Sequence, residues 1–326
     1  MRTHFFIPLL QLAFNPKVPQ EVSASALNCL SGMIWSNSRA QHELAKEKLP
    51  FNLGIKRVEP PISPLMAAVC LTVHGNPSAG NVSEEAAINQ RIKALELVES
   101  FCTGNFDGQL VLLSTLKSTS DSSASPGSVI LEALFDLDTS RKRDPWHCWF
   151  ASSLLCHLIN GNEEAKKMLL KHRMIDADGE EDEDILTAIM LNLMRIARDS
   201  RGSTCQKSII GYLQLILVWF HESPVPVKHF LQEGSYVQYL IERITHQSHQ
   251  QDIQIQGIAA LILGICVLFN DESVPNFGSE ALKSVIKNRI GPDLFISKLS
   301  RLKSEKVRIR RRSEYKYNDH IIFILF

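Results

Sequence analysis

The sequence predicts an all-α protein made of stacked helical repeats. Leu, Ile and Ala dominate the periodic segments and aromatic residues make up only 7% of the chain, a bias toward helix over strand. An apolar helix followed by a short polar turn and a second helix with one polar face occurs five times. The two longest apolar runs, 209–220 and 258–269, are apolar almost all round. Both fall far short of the roughly 20 residues a bilayer needs, so they read as helices buried in protein.

The five units follow in order. Residues 26–35 lead through Ser36-Asn37-Ser38 into 41–49. Residues 92–102 lead through Gly104-Asn105 into 109–116. Residues 146–159 lead through Asn160-Gly161-Asn162 into 163–170. Residues 212–220 lead through Glu222-Ser223-Pro224 into 227–231. The fifth helix, ending at Phe269, meets Asn270-Asp271-Glu272-Ser273, with 281–290 beyond. Asn, Gly, Ser and Pro at each turn supply its chemistry. Starts are marked as well: Ser83-Glu84-Glu85 places a capping Ser before first-turn acids. Asp144-Pro145-Trp146 sets an N-cap Asp before Pro at the first helical position. Successive turns are spaced more widely than the roughly 40 to 47 residues of an armadillo or HEAT repeat, so further helices or loops lie between them. The architecture is therefore an irregular armadillo/HEAT-like α-solenoid, each unit packing on its neighbours.

Two stretches read as solvated loops. The Ser-rich 118–128 lacks apolar residues to bury, and 176–184 has seven acids in nine positions. Pro60, Pro61 and Pro64 mark a turn before the next helix. Strand signal is weak except at the end, 321–326.

At 326 residues, 44% apolar and 21% charged, the chain has the composition of an ordinary globular protein with a sizeable core. Thirty-five basic residues balance 35 acidic ones. There is thus no global field to draw nucleic acid or an anionic membrane. Seven cysteines at odd number and wide spacing read as reduced, buried small hydrophobes of a cytosolic protein. The start, Met1-Arg2-Thr3-His4-Phe5-Phe6-Ile7-Pro8, superficially resembles a signal peptide. Pro8 and Gln11 interrupt the run and Asn15-Pro16-Lys17 intervenes before Ala24-Ser25-Ala26, so a first core helix is the reading.

Chemistry-bearing motifs fail one by one. His42-Glu43 and His221-Glu222 begin like a zinc-protease helix, but Lys46 and Val225 stand where the second His is needed. His147-Cys148 and Cys156-His157 bracket one helix, which sets the two thiols about 12 Å apart along its axis, too far for one tetrahedral zinc. Asp176-Ala177-Asp178-Gly179 resembles a calcium loop, yet Met174 and Ile185 take the chelating ends. There is no nucleophile elbow and no phosphate-loop lysine. The expectation is a non-enzyme without cofactor or metal.

Arg301, Lys303, Lys306, Arg308, Arg310, Arg311 and Arg312 form a basic run, either a solvated terminus or a surface for acidic protein, lipid headgroups or nucleic acid. Within the last helical pair, Lys287, Arg289, Lys298 and Arg301 are the candidate partner-binding residues, as a basic patch facing acidic protein.

Three ordered blocks carry a family resemblance. Trp146-His147-Cys148-Trp149-Phe150-Ala151 with Leu169-Leu170 is the first. Leu217-Val218-Trp219-Phe220 with Pro224, Val227 and His229-Phe230-Leu231 is the second. The third is Gly264-Ile265, Phe269-Asn270-Asp271, Lys287, Arg289-Ile290-Gly291, Phe295 and Lys298-Leu299. Together they resemble the globular head of the general vesicular transport factors, tethers acting between endoplasmic reticulum and Golgi. The resemblance covers 1–305 and implies the C-terminal part of an armadillo-like head. It also implies a binding scaffold working with Rab GTPases, SNAREs and golgins on Golgi and vesicle membranes, where it promotes docking and fusion. Dimerisation is expected only with the coiled coil that follows such heads. Likeness fades after Glu305, so 306–326, basic and then apolar, is expected outside the fold, as in a truncated product or a gene model running into an intron. The rival reading is an armadillo scaffold or adaptor unrelated to trafficking. An all-α lipid-processing enzyme would need a convergent ligand set, which the sequence does not supply.

Overall fold

A computed structural model of the chain describes residues 3–53, 58–76, 83–116, 124–175, 181–198, 205–246 and 253–311. It divides into two compact units, 1–158 and 159–326.

The first unit opens with α1 (Thr3–Phe14), α2 (Gln20–Ile34) and α3 (Ser38–Lys46). It continues with α4 (Pro64–His74), α5 (Glu84–Cys102), α6 (Phe106–Leu113), α7 (Pro126–Phe135) and α8 (Leu137–Lys142). It closes with α9 (His147–Ile159), whose last residue begins the second unit. The second unit holds α10 (Glu163–Lys171), β1 (Arg173–Ile175), β2 (Glu181–Asp184), α11 (Ile185–Arg198) and α12 (Gln206–Phe220). Beyond these come α13 (Pro224–Leu231), α14 (Gly234–Thr245), α15 (Ile253–Leu268), α16 (Ser279–Val285), a π-turn (Ile286–Ile290) and α17 (Pro292–Arg311). Among the described residues no helix is long and apolar enough to cross a membrane.

Between successive turns lie three helices together with the segments that join them, and in places a further short helix or strand pair, which accounts for the wide spacing. The triplets are α3–α4–α5, α6–α7/α8–α9, α10–α11–α12 and α13–α14–α15. A last helix leads through one corner into the next short helix. At four corners the chain passes through the left-handed region at Ser36, Gly104, Gly161 and Glu222. The next residue is Asn37, Asn105, Asn162 or Ser223, and the three asparagines each accept from a backbone N–H three residues on, at 3.0–3.2 Å. These contacts satisfy donors that a helix start leaves open.

A second regularity ties the first helix of a repeat to the end of its last. Gln41 on α3 donates to the carbonyls of Ser100 (3.1 Å) and Thr103 (3.2 Å) at the end of α5. Four residues after its own cap, Gln109 on α6 does the same to His157 on α9 (3.0 Å). Lys166 on α10 fills the equivalent role, donating to His221 after α12. Each rung donates to a carbonyl at the C-terminal end of a long helix, where the intrahelical ladder runs out.

Aliphatic and aromatic side chains fill both cores. In the first unit Trp146 meets Trp149 edge-on at 5.6 Å, and Trp149 meets Phe150 at 5.1 Å. In the second, Phe220 packs against Phe230 at 5.1 Å, with Trp219 and Tyr212 fully buried. All cysteines except Cys29 are buried, and burial pushes the Cys70 thiol up to about 12.

Two loop expectations need correction. The acidic stretch 176–184 is not loop throughout: Glu181–Asp184 is a strand pairing antiparallel with Arg173–Ile175. Its last acid, Asp184, is buried and used for capping and pairing, which a count of acids does not reveal. The Ser-rich stretch ends early, because Pro126, Gly127 and Ser128 form the first turn of α7. Ser125 caps that turn in a reciprocal box with Ser128. Asp144 lies ahead of α9 as expected, accepting from Trp146 N at 3.0 Å, although the regular helix starts at His147. The helix α17 runs past 305 to Arg311, whereas the suspected strand 321–326 lies outside the described residues.

Candidate interaction surface

Near the end of the second unit, α15 runs into the Asn270–Ser273 turn. Asn270 Nδ2 donates to Phe277 O (2.7 Å), and Asp271 Oδ1 accepts from Ser273 N (3.0 Å). Glu272, in the left-handed region at φ 60°, accepts from Ser279 N through Oε1 (3.1 Å). It thereby caps α16, whose N-cap residue Gly278 has no side chain to do so. Hydrogen bonds from Ser279 first, then lesser influences, hold the Glu272 carboxyl below its ordinary range. The π-turn closes at Gly291, φ 89°, where the N–H meets Ile286 O at 2.9 Å. A left-handed turn at this point favours glycine, and it sends the chain into α17.

The helices α15 and α17 run antiparallel. Gly257 faces Leu302 and the Lys298 carbonyl, while Gly264 faces Phe295. Lys298 Nζ donates to Gln256 Oε1 (2.6 Å), and Gln256 Nε2 donates to His246 O (2.8 Å). Burial first, and then Arg301, pushes the Lys298 ammonium down. Of the four sequence-predicted residues, Lys298 is therefore half-buried and occupied in pinning two helices. Arg301 is exposed on the same helix, and Lys287 and Arg289 are exposed on the π-turn.

Sequence reasoning missed the apolar component of this surface. Leu268 is 75% exposed and Ile296 59% exposed. An all-round apolar helix reads as buried, yet Leu268, its last residue, lies open to water. In the first unit, Trp35, Phe106 and Val111 are likewise exposed near two corners.

The polar centres of the core face inward. Arg91 donates from Nε to Thr72 O (2.8 Å) and from Nη2 to Val73 O (2.7 Å), and Nη1 lies 2.8 Å from Asp144 Oδ2. Its guanidinium stacks 4.2 Å above the Phe150 ring. With its donors taken, it serves as a lock rather than an anion site. In the second unit Asp184 Oδ1 accepts from Thr187 N (2.9 Å), and Oδ2 accepts from Thr187 Oγ1 (2.9 Å) and lies 3.0 Å from His229 Nε2. Burial raises the Asp184 pKa, but His229 and Thr187 outweigh it and hold it at about 2. A cleft between Phe14, Pro16, Leu53 and Leu71 has about 20 Å³ of free volume, the size of one water.

Helical triplets joined by left-handed corners and tied by side-chain rungs define an armadillo-like α-solenoid, a class whose long surfaces bind other proteins. Within that class the chain belongs to the Uso1/p115-like vesicle tethering proteins: the model of their head region matches residues 37–320. It is 28% identical over 286 residues to the mouse general vesicular transport factor p115, covering 86% of this chain and 27% of that protein. It is 27% identical over 178 residues to the fission-yeast intracellular protein transport protein uso1, covering 53% of this chain and 17% of that one. The crystal structure of Uso1-1 superposes with a TM-score of 0.73 over 98% of this chain and 47% of that chain. At 19% identity this last likeness is one of fold. The chain thus spans about a quarter of the length of the mouse relative.

Proposed function

We propose that this chain is a protein-binding scaffold of vesicle tethering in endoplasmic reticulum-to-Golgi and intra-Golgi transport, acting through its surfaces and without catalysing a reaction. The match of the tether head-region model to residues 37–320 carries this reading. Exposed Lys287, Arg289 and Arg301 contact acidic partners, and Lys298 positions the helix that bears Arg301. By family resemblance the partners are Rab GTPases, SNAREs and golgins. The chain reaches Golgi and vesicle membranes from the cytoplasm by binding proteins that reside there.

The test is a binding assay with the immobilised full chain. It is offered early-secretory Rab GTPases in both nucleotide states, then Golgi SNAREs and golgins. Saturable binding by a chain with a helical circular-dichroism spectrum is the expected result. A well-folded chain that binds none of them overturns the reading.

A further inference from the structure

We propose that the groove between α15 and α17 is a docking site for one amphipathic helix of a partner protein, with an apolar stripe and an acidic N-terminal half. The proposal rests on the scaffold reading above and gives it a specific site.

The groove follows from helix geometry. Gly257 and Gly264 mark the line of contact on α15, with Leu302 and Phe295 opposite on α17. One step round α15 stand Leu261 and Leu268, seven residues apart and so on one face. A step of the same sense round α17 leads to Ile296 and Leu299, three apart and also on one face. In an antiparallel pair of right-handed helices, equal-sense steps away from the contact line lead to the same side. The four side chains therefore line one groove. Leu268 and Ile296 are largely open to water, while Leu261 and Leu299 are half-buried. A two-helix groove with aliphatic walls suits an apolar stripe at i, i+3/i+4 and i+7.

Charge selects the occupant. From Arg301 to Arg311, α17 carries six basic residues against one acid, Glu305. Among the described residues no ion pair neutralises exposed Lys303, which stands four residues after Leu299 and so on the groove face of α17. The final segment, 312–326, has two basic and two acidic residues and does not offset this excess. A helix lying antiparallel to α17 brings its N-terminal half to the basic end. Acidic residues there are favoured by α17 and by the helix's own dipole.

The test uses the full 326-residue chain and a fluorescein-labelled synthetic helix with a leucine stripe and glutamates in its first two turns. A control peptide has lysines in place of the glutamates. Saturable binding of the acidic peptide is expected, with the lysine peptide at least ten-fold weaker. Leu268→Asp and Ile296→Asp alter exposed side chains, so helicity is retained and binding falls at least ten-fold. Lys303→Glu, on the face of α17 that carries Leu299, narrows the preference between the two peptides. Equal affinity for both peptides, or binding indifferent to the two Asp substitutions, overturns the proposal. So does a photo-crosslinker at position 296 that captures a second copy of the chain, or residues 312–326, in place of the peptide. Trafficking partners that still bind the Leu268→Asp, Ile296→Asp chain sink the groove and leave the scaffold reading intact. A parent chain that captures the acidic peptide but none of those partners does the reverse.

Discussion

Arg91 and Asp144 meet at 2.8 Å in the interior of the first unit, and through that contact one side chain on α5 fixes the end of α4 and the approach to α9. Arg91 closes the carbonyls of Thr72 and Val73, and Asp144 holds the Trp146 N–H. Removing one partner leaves the other charge poorly compensated in a low-dielectric site. Arg91→Met or Asp144→Ala is expected to cost about 3 kcal/mol, read as a lower urea midpoint with an unchanged slope. A loss below about 1 kcal/mol would place the pair among solvent-screened surface bridges.

The rung residues make a graded prediction. Gln109→Ala removes a donor from the His157 carbonyl, and Gln41→Ala removes one from those of Ser100 and Thr103. Each is expected to lower stability by about 1 kcal/mol, the net worth of a buried hydrogen bond. Hydrogen exchange should quicken at the ends of α9 and α5, respectively. Equal exchange in parent and variant means that water replaces the rung.

Much of this architecture was legible in the residues, and the exceptions are instructive. The Asn, Gly and Ser turn signals located the corners because a left-handed residue followed by a capping side chain is a local requirement. The spacing called for further helices or loops between the units without deciding which, since Pro64–His74 and Ile185–Arg198 lie beside stretches that read as loop. Asp184 was hidden within a charge run, where composition speaks for solvent and only tertiary contact with His229 shows burial. Of the basic patch, sequence supplied the charges, but long-range packing decided that Lys298 serves Gln256 while Arg301 stays free.

Acid is expected to weaken the first unit through His147. This imidazole is buried, and burial pushes its pKa below the ordinary value, ahead of opposing help from the Val73 carbonyl and Asp144. The unfolded chain therefore takes up a proton near pH 6.5 that the folded chain refuses. The contribution is fully present above that pH and is lost as pH falls toward the depressed folded value. His74 moves in the same direction, to about 4 through burial first and then His147 and Arg91. Its ring is more open to water, so its share is discounted. Denaturation midpoints at pH 7.5 and 5.5 test this, and His147→Gln should flatten the difference.

For the second unit the sign follows a carboxylate. Asp184 titrates at about 2 when folded, against roughly 3.9 in an unfolded chain. Its contribution is present above the unfolded value and disappears as pH falls toward 2. Asp184→Asn keeps the shape and removes the charge. At pH 7 it is expected to cost about 1–3 kcal/mol, the worth of hydrogen bonds to a charged group, and the loss should shrink as the parent is acidified. A variant as stable as the parent at pH 7 would show that capping of Thr187 alone accounts for the residue.

The closest approach of α17 to α15 depends on Gly257. A Cβ placed there would stand 2.6 Å from Leu302 Cβ and 3.2 Å from the Lys298 carbonyl. The first distance is too short for two carbons, and the second involves backbone that yields only if the helix moves. Gly257→Ala gains helix propensity worth about 1 kcal/mol but overpacks the contact by about 1–3 kcal/mol. The net expectation is a small loss of global stability with a large local effect. α17 lifts, the Lys298–Gln256 bond breaks, and limited proteolysis cuts between Gly291 and Arg301 sooner than in the parent. The lifted helix also widens the groove beside Leu268 and Ile296, so the acidic probe should bind less tightly although no groove residue has changed. Unchanged proteolysis together with unchanged peptide affinity would mean that the two helices are not held at this spacing in solution.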